Sequence, residues 1–201
     1  MQNKINKLFT KEEETLLATL IGKKLGKVRH DAYFNSNISF RKVSFFVAEK
    51  IFLLLNTLEE MDFMWDGDGY EGEEVAVFKF LECNEEVTKE NYGFDNLQFI
   101  DIPVHEIIKD IIIIEDNVKA YDSNTKEFVS EYDYVKGVVF VFDGFKYCFS
   151  RCNWFLEDIN INKGENPETK IGNINDDWEW GENRYSINTR IFRSLKKDTN
   201  N

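Results

Sequence analysis

The chain has 201 residues, 37 of them Asp or Glu against 25 Lys or Arg, for a formal net charge of −12. Apolar residues make up 42% and aromatic residues 15%, enough for a packed core and too much for a disordered chain. The charge repels nucleic-acid phosphates, no run reaches the ~18 uncharged apolar residues of a membrane helix, and Cys83, Cys148 and Cys152 lack metal-site spacing.

The length fits a single globular domain over residues 1–201. The N-terminus (MQNKINKLFTKEEE) has no apolar core of a secretory leader, so a cytoplasmic setting with reduced thiols is expected. Thr10 followed by Glu13 forms a capping box, and Leu16, Leu17, Leu20 and Ile21 recur at helical spacing. A helix is predicted from about residue 11 to 21, ending near Gly22 or Gly26 and packing its apolar stripe on a sheet. Leu25–Phe34 reads as extended. Ile38–Asn56 reads as two strands, Phe40–Val47 and Lys50–Leu55, around a tight Ala48-Glu49 turn. Leu58–Met64 reads as a connection into the glycine-rich acidic loop Asp66–Glu74.

Val75–Cys83 alternates as a strand, and Glu85–Asn96 is polar enough for a loop. Pro103 marks either the start of a helical turn or an edge strand. Ile107–Ile114, Val118–Tyr121 and Phe128–Tyr134 read as strands separated by turns at Glu115-Asp116-Asn117 and Asp122-Ser123-Asn124. Asp143-Gly144 between two apolar runs is a strong hairpin signal. A two-residue turn there pairs Phe142 with Phe145, Phe140 with Tyr147 and Val138 with Phe149 on one face that must be covered. Val139 with Cys148, Val141 with Lys146 and Gly137 with Ser150 form the other face. Ile159–Glu179 reads as a long loop, Tyr185–Leu195 as a last strand and residues 196–201 as a frayed tail. The expected class is α+β, mainly β: antiparallel meander sheets or a partly open barrel, with the N-terminal helix packed on one face.

Charge is unevenly distributed. Met1–Leu55 holds 10 basic and 5 acidic residues, for +5. Asn56–Asp95 holds 13 acidic residues against Lys79 and Lys89, for −11. Such a field attracts and steers a basic protein partner. The candidate partner-binding residues are Trp65, Asp66, Asp68, Tyr70, Glu71, Glu73 and Glu74: carboxylates flanked by two amphipathic aromatic anchors. An EF-hand register fails here, because the sixth position from Asp66 is Glu71 and the twelfth is Val77, so no metal site is assigned.

His30 and His105 read as structural or surface residues. In a strand, His30 and Asp31 point to opposite faces and do not form a base pair of catalytic type. Cys148 and Cys152 share a strand face about 13 Å apart, too far for a disulfide, and read as small core hydrophobes. Trp178 and Trp180 amid Asp176, Asp177, Glu179 and Glu182 read as a pair closing the core in preference to a displayed surface. No catalytic residue and no cofactor are implied, and neither a nucleic-acid nor a membrane partner is expected. The alternatives are a DNA-mimicking inhibitor, which shares the acidity, and a metal-assisted hydrolase built on Asp66, Asp68 and His30.

A short capped helix leads into Ile21-Gly22-Lys23-Lys24-Leu25. A strand pair with the acidic loop Asp66-Gly67-Asp68-Gly69 follows, and an aromatic hairpin runs into Arg151-Cys152-Asn153-Trp154-Phe155. In this texture the chain resembles the small acidic immunity proteins that bacteria encode beside polymorphic or contact-dependent toxins. The resemblance implies a non-catalytic protein that binds a toxin or nuclease domain and blocks its active site.

Overall fold

A computed structural model describes residues 3–32, 38–39, 41–60, 74–83, 98–151, 158–172, 177–180 and 182–196. In chain order the elements are β1 (Asn3–Lys7), α1 (Lys11–Ala18), β2 (Lys24–Ala32), β3 (Ile38–Ser39), β4 (Lys42–Val47), β5 (Lys50–Glu60), β6 (Glu74–Cys83), β7 (Gln98–Ile107), β8 (Asp110–Asp122), β9 (Phe128–Val141), β10 (Lys146–Arg151), β11 (Ile159–Gly164), a 3-10 turn at Pro167–Lys170, β12 (Asp177–Trp180) and β13 (Asn183–Ser194). Among the described residues the fold is mainly β, in two sheets that are antiparallel except for the added strand β1, with one short helix and no closed barrel, as the pattern of short alternating strands predicts.

The smaller sheet runs β6-β5-β4-β2-β7. The larger runs β12-β13-β8-β9-β10-β11-β3, with β1 added in parallel on β9. β10 covers Gly137–Val141 of β9, and β1 covers Ser130–Tyr134, so two short strands share one side of a long one. The parallel strand β1 is not foreseen from NKINK, whose single apolar residue, Ile5, carries little alternation.

The sheets meet through aromatic side chains. Phe45 of β4 stacks on Phe140 of β9 at 4.7 Å between centroids and meets Phe149 of β10 edge-on at 5.0 Å. The central hairpin has the predicted register, Phe140 opposite Tyr147 and Val138 opposite Phe149. Gly144 turns the chain with φ at 81°, the left-handed region open to glycine. The second face of this hairpin is covered too. Val139 and Cys148 pack with Ile114 and Ile171, the residue that follows the 3-10 turn. A Cβ on Gly137 would lie 2.9 Å from the Phe149 carbonyl oxygen, so glycine there permits close strand approach.

The capping box forms as expected: Thr10 accepts from the Glu13 amide at 3.2 Å, and Glu13 accepts from the Thr10 amide at 2.7 Å. The other oxygen of Glu13 accepts from the Phe80 amide at 3.0 Å, fastening the helix to β6. The helix ends at Ala18, and a turn over Thr19–Gly22 completes the apolar stripe with Leu20.

Three expected connections turn out to be strand. β5 runs on to Glu60, opposite Glu74, because Asn56 stays inside and donates to the Asp158 carbonyl at 3.4 Å. Ile159–Gly164 forms β11: its Asn-rich outer positions conceal an alternation in which Ile159 and Ile161 are buried. Glu115-Asp116-Asn117 is not a turn but the middle of β8, where polar residues have an unexpected use. Pro103 lies in β7, the edge strand of the smaller sheet, the kind of strand in which proline is tolerated. Among the described residues, no helix is long and apolar enough to cross a membrane.

Candidate functional site

β8 changes its covered face halfway along. Ile111 and Ile113 are buried in the first half, and Asp116, Val118 and Ala120 in the second. The switch falls where the register to β9 jumps from Ile114–Gly137 to Glu115–Val135, leaving one extra residue on β9. A bulge of this kind sharpens the local twist and re-aims side chains. It sends Asp116 to one side of the sheet and Glu115 and Asn117 to the other.

On the first side, Asp116 is fully buried and receives Nε and Nη2 of Arg190 from β13 at 2.6 and 2.8 Å. Arg190 also donates to the Gly172 carbonyl at 2.7 Å. The Tyr134 hydroxyl donates to Asp116 at 3.3 Å, and the buried guanidinium of Arg151 lies 4.2 Å from the Tyr134 ring centre. Burial pushes the Tyr134 hydroxyl up, with the Asp116 charge adding to it. Burial pulls Arg151 down to about 10. This side is a charge-paired core in which Arg151 lies over the Tyr134 ring and Asp116 links the Tyr134 hydroxyl to Arg190.

The other side is open. Asn117 donates to Glu131 and Asp133 of β9, both at 2.7 Å, and accepts from Asn188 of β13 at 3.1 Å. Lys4 of β1 reaches Asp133 at 2.7 Å and Glu131 at 3.5 Å. Its hydrogen bond to Asp133 raises the ammonium pKa. Arg193 of β13 bridges Glu115 and Glu14 of α1, at 2.5 Å to each. Lys4, Glu115, Asn117, Glu131, Asp133 and Asn188, with Leu8, Thr189 and Ile191, line a groove of about 370 Å³. On this side four carboxylates (Glu14, Glu115, Glu131 and Asp133) face two cations (Lys4 and Arg193), leaving two net negative charges. Lys4 is the more accessible of the two, with 56% of its side chain exposed. Such a groove has acceptor oxygens on its floor, apolar walls in Leu8 and Ile191, and one displaceable cation. It suits a lysine or arginine side chain.

Of the residues singled out in the sequence, Trp65, Asp66, Asp68, Tyr70, Glu71 and Glu73 lie outside the described residues. Glu74 opens β6 opposite Glu60, so the acidic segment joins the ends of the β5–β6 hairpin. His30 is buried on β2, with Nδ1 3.1 Å from the Asp31 carbonyl, and burial lowers its pKa. The Asp31 carboxylate instead accepts from the Ser39 hydroxyl, so the two side chains take separate partners. His105 is exposed on β7 at φ 56°. Burial pushes the Cys148 thiol up to about 12, which suits the core role read from the sequence. Cys152 lies outside the described residues. Trp178 and Trp180 sit on β12 opposite Tyr185 and Asn183.

Among the described residues, no group of three or more His, Cys, Asp or Glu is arranged to hold a metal ion. The groove carboxylates do have a trace in the sequence: Ser130-Glu131-Tyr132-Asp133-Tyr134 alternates acid with aromatic at period two. Comparison of the chain with protein families, curated proteins and solved structures gave no match.

Proposed function

We propose that this chain is an acidic binding protein that neutralises a basic protein partner, in the manner of an immunity protein bound to its cognate bacterial toxin domain. The groove carries this reading. It presents Glu115, Glu131 and Asp133 on a rigid sheet beside the apolar Leu8 and Ile191, with the exposed Lys4 holding the place an incoming cation would take. Binding energy in such interfaces concentrates where a charge is matched inside an apolar rim, and the surrounding acidity accelerates encounter. The acidic segment with Trp65, Asp66, Asp68, Tyr70, Glu71, Glu73 and Glu74 adds to the long-range field, with five of the 13 carboxylates between Asn56 and Asp95.

The test is co-expression with the product of the neighbouring gene in a heterologous bacterium. The expected result is growth arrest by that product alone and relief by the native chain. Glu131→Lys with Asp133→Lys abolishes the relief, and reversal of Glu71, Glu73 and Glu74 weakens it. A neighbouring product that is harmless, or whose toxicity the native chain leaves intact, overturns the immunity reading.

A further inference from the structure

β12 pairs with β13 only over Asn183–Ser186. Beyond it, among the described residues, β13 is an edge strand. Its orientation follows from one bond and the strand register. The Leu195 amide donates to the Ile111 carbonyl at 2.8 Å, and the register continues through Arg193–Ile113 and Ile191–Glu115. Antiparallel pairs alternate between bonded and non-bonded positions. Ile191 and Arg193 therefore spend their backbone groups on β8, while the N–H and C=O of Phe192 and Ser194 point away from the sheet.

Two of these four residues are the most exposed large hydrophobics among the described residues. Ile191 is 55% exposed and Phe192 51%. They flank the edge on opposite faces. Proteins commonly blunt such edges with proline or a local distortion. The smaller sheet does so on β7, where Pro103 and the left-handed His105 interrupt the outer edge. The Ile191–Ser194 edge has no such device. Ile191 also walls the acidic groove and pairs across the sheet with Glu115, so whatever lies along this edge has a carboxylate face beside it.

We propose that the edge of β13 over Ile191–Ser194 accepts an extended, lysine- or arginine-bearing segment of a protein partner as an added strand. This rests on the acidic-binding reading and specifies its mode. Backbone bonds to Phe192 and Ser194 give affinity, Phe192 packs against one face of the segment, and a cationic side chain on the other face crosses Ile191 to share Glu115 with Arg193. Strands lie about 4.8 Å apart, so the added strand sits about 10 Å from β8, a distance suited to the long cationic side chains and too great for short ones.

The test uses the full chain and two ten-residue probe peptides, one alternating lysine with threonine and one alternating glutamate with threonine. Amide hydrogen exchange is followed by NMR. The expected result is that Phe192 and Ser194 exchange rapidly in the free protein and slow at least about tenfold with the lysine peptide, while Ile191 and Arg193 are slow throughout. Phe192→Pro removes one outward N–H and lowers affinity about tenfold, the value of one well-made bond with its packing, whereas Phe192→Ala lowers it less. If Phe192→Pro fails to fold, protection in the native chain decides alone. Binding of the lysine peptide without protection at Phe192 and Ser194 overturns the strand-addition mode and leaves the acidic-binding reading standing. No binding of the lysine peptide overturns both. Equal protection by the glutamate peptide overturns the cationic occupant, and concentration-dependent protection without peptide assigns the edge to a second copy of this chain.

Discussion

Replacing Asp116 with leucine removes the buried carboxylate of β8 that pairs with Arg190. It leaves Arg190 without its two bonds at 2.6 and 2.8 Å and the Tyr134 hydroxyl without its acceptor at 3.3 Å. Breaking a buried ion pair from one side costs about 3–5 kcal/mol. Arg190 keeps its bond to the Gly172 carbonyl and 9% of its side chain is exposed, so the low end, about 3 kcal/mol, is expected. For a domain of this size that lowers Tm by about 6–12 °C. Arg190→Met alone strands a fully buried carboxylate and costs at least as much.

The combined change Asp116→Leu with Arg190→Met replaces the pair by apolar groups and is expected within about 1 kcal/mol of the native chain. Urea denaturation at constant m-value measures all four corners of this cycle. A cost below about 1 kcal/mol for Asp116→Leu, or strict additivity in the double change, would refute the placement of this pair in a dry core.

Gly137→Ala forces a Cβ against the Phe149 carbonyl oxygen and the Ser150 backbone and is expected to cost about 1–3 kcal/mol by calorimetry. His30 is held neutral by burial, so the unfolded chain binds its proton first as pH falls through the ordinary histidine range. Stability therefore declines from pH 7 toward 5, and His30→Asn is expected to flatten that slope in denaturation curves taken across the range. Lys4→Ala uncovers Glu131 and Asp133 and is expected to strengthen binding of the lysine–threonine peptide about two- to fivefold, read by fluorescence anisotropy.

Local signals marked much of this architecture. Thr10 and Glu13 specify the start of α1, Asp143-Gly144 fixes the register of β9 and β10, and Ala48-Glu49 joins β4 to β5 as its position between two apolar runs predicts. What escaped detection has a physical cause in each instance. Glu115-Asp116-Asn117 has turn composition, yet it sits mid-strand because the bulge in β9 gives each residue a polar partner: Arg193, Arg190 and the Glu131–Asp133 pair. Those partners lie between 14 and 78 positions away in sequence, beyond any local pattern. β11 was hidden by its asparagines, whose outward positions resemble loop chemistry while Ile159 and Ile161 face the core.

The acidity of the chain is legible in the sequence and is densest between Asn56 and Asp95. The groove between β1, β8, β9 and β13 needed the fold, because its carboxylates come from Glu115 on one strand and from Glu131 and Asp133 on the next. The helix contributes the same way: Glu14 meets Arg193, 179 positions distant.

Affinity for the lysine–threonine peptide, compared between two charge-matched double variants, tests the central claim most directly. Glu131→Lys with Asp133→Lys reverses the groove floor, and Asp143→Lys with Glu165→Lys makes the same change in net charge at exposed positions outside the groove. The groove variant is expected to lose at least about tenfold in affinity and the remote variant less than about twofold at physiological salt. Equal losses in the two would show that the peptide responds to overall charge alone, and would contradict a binding site in the groove.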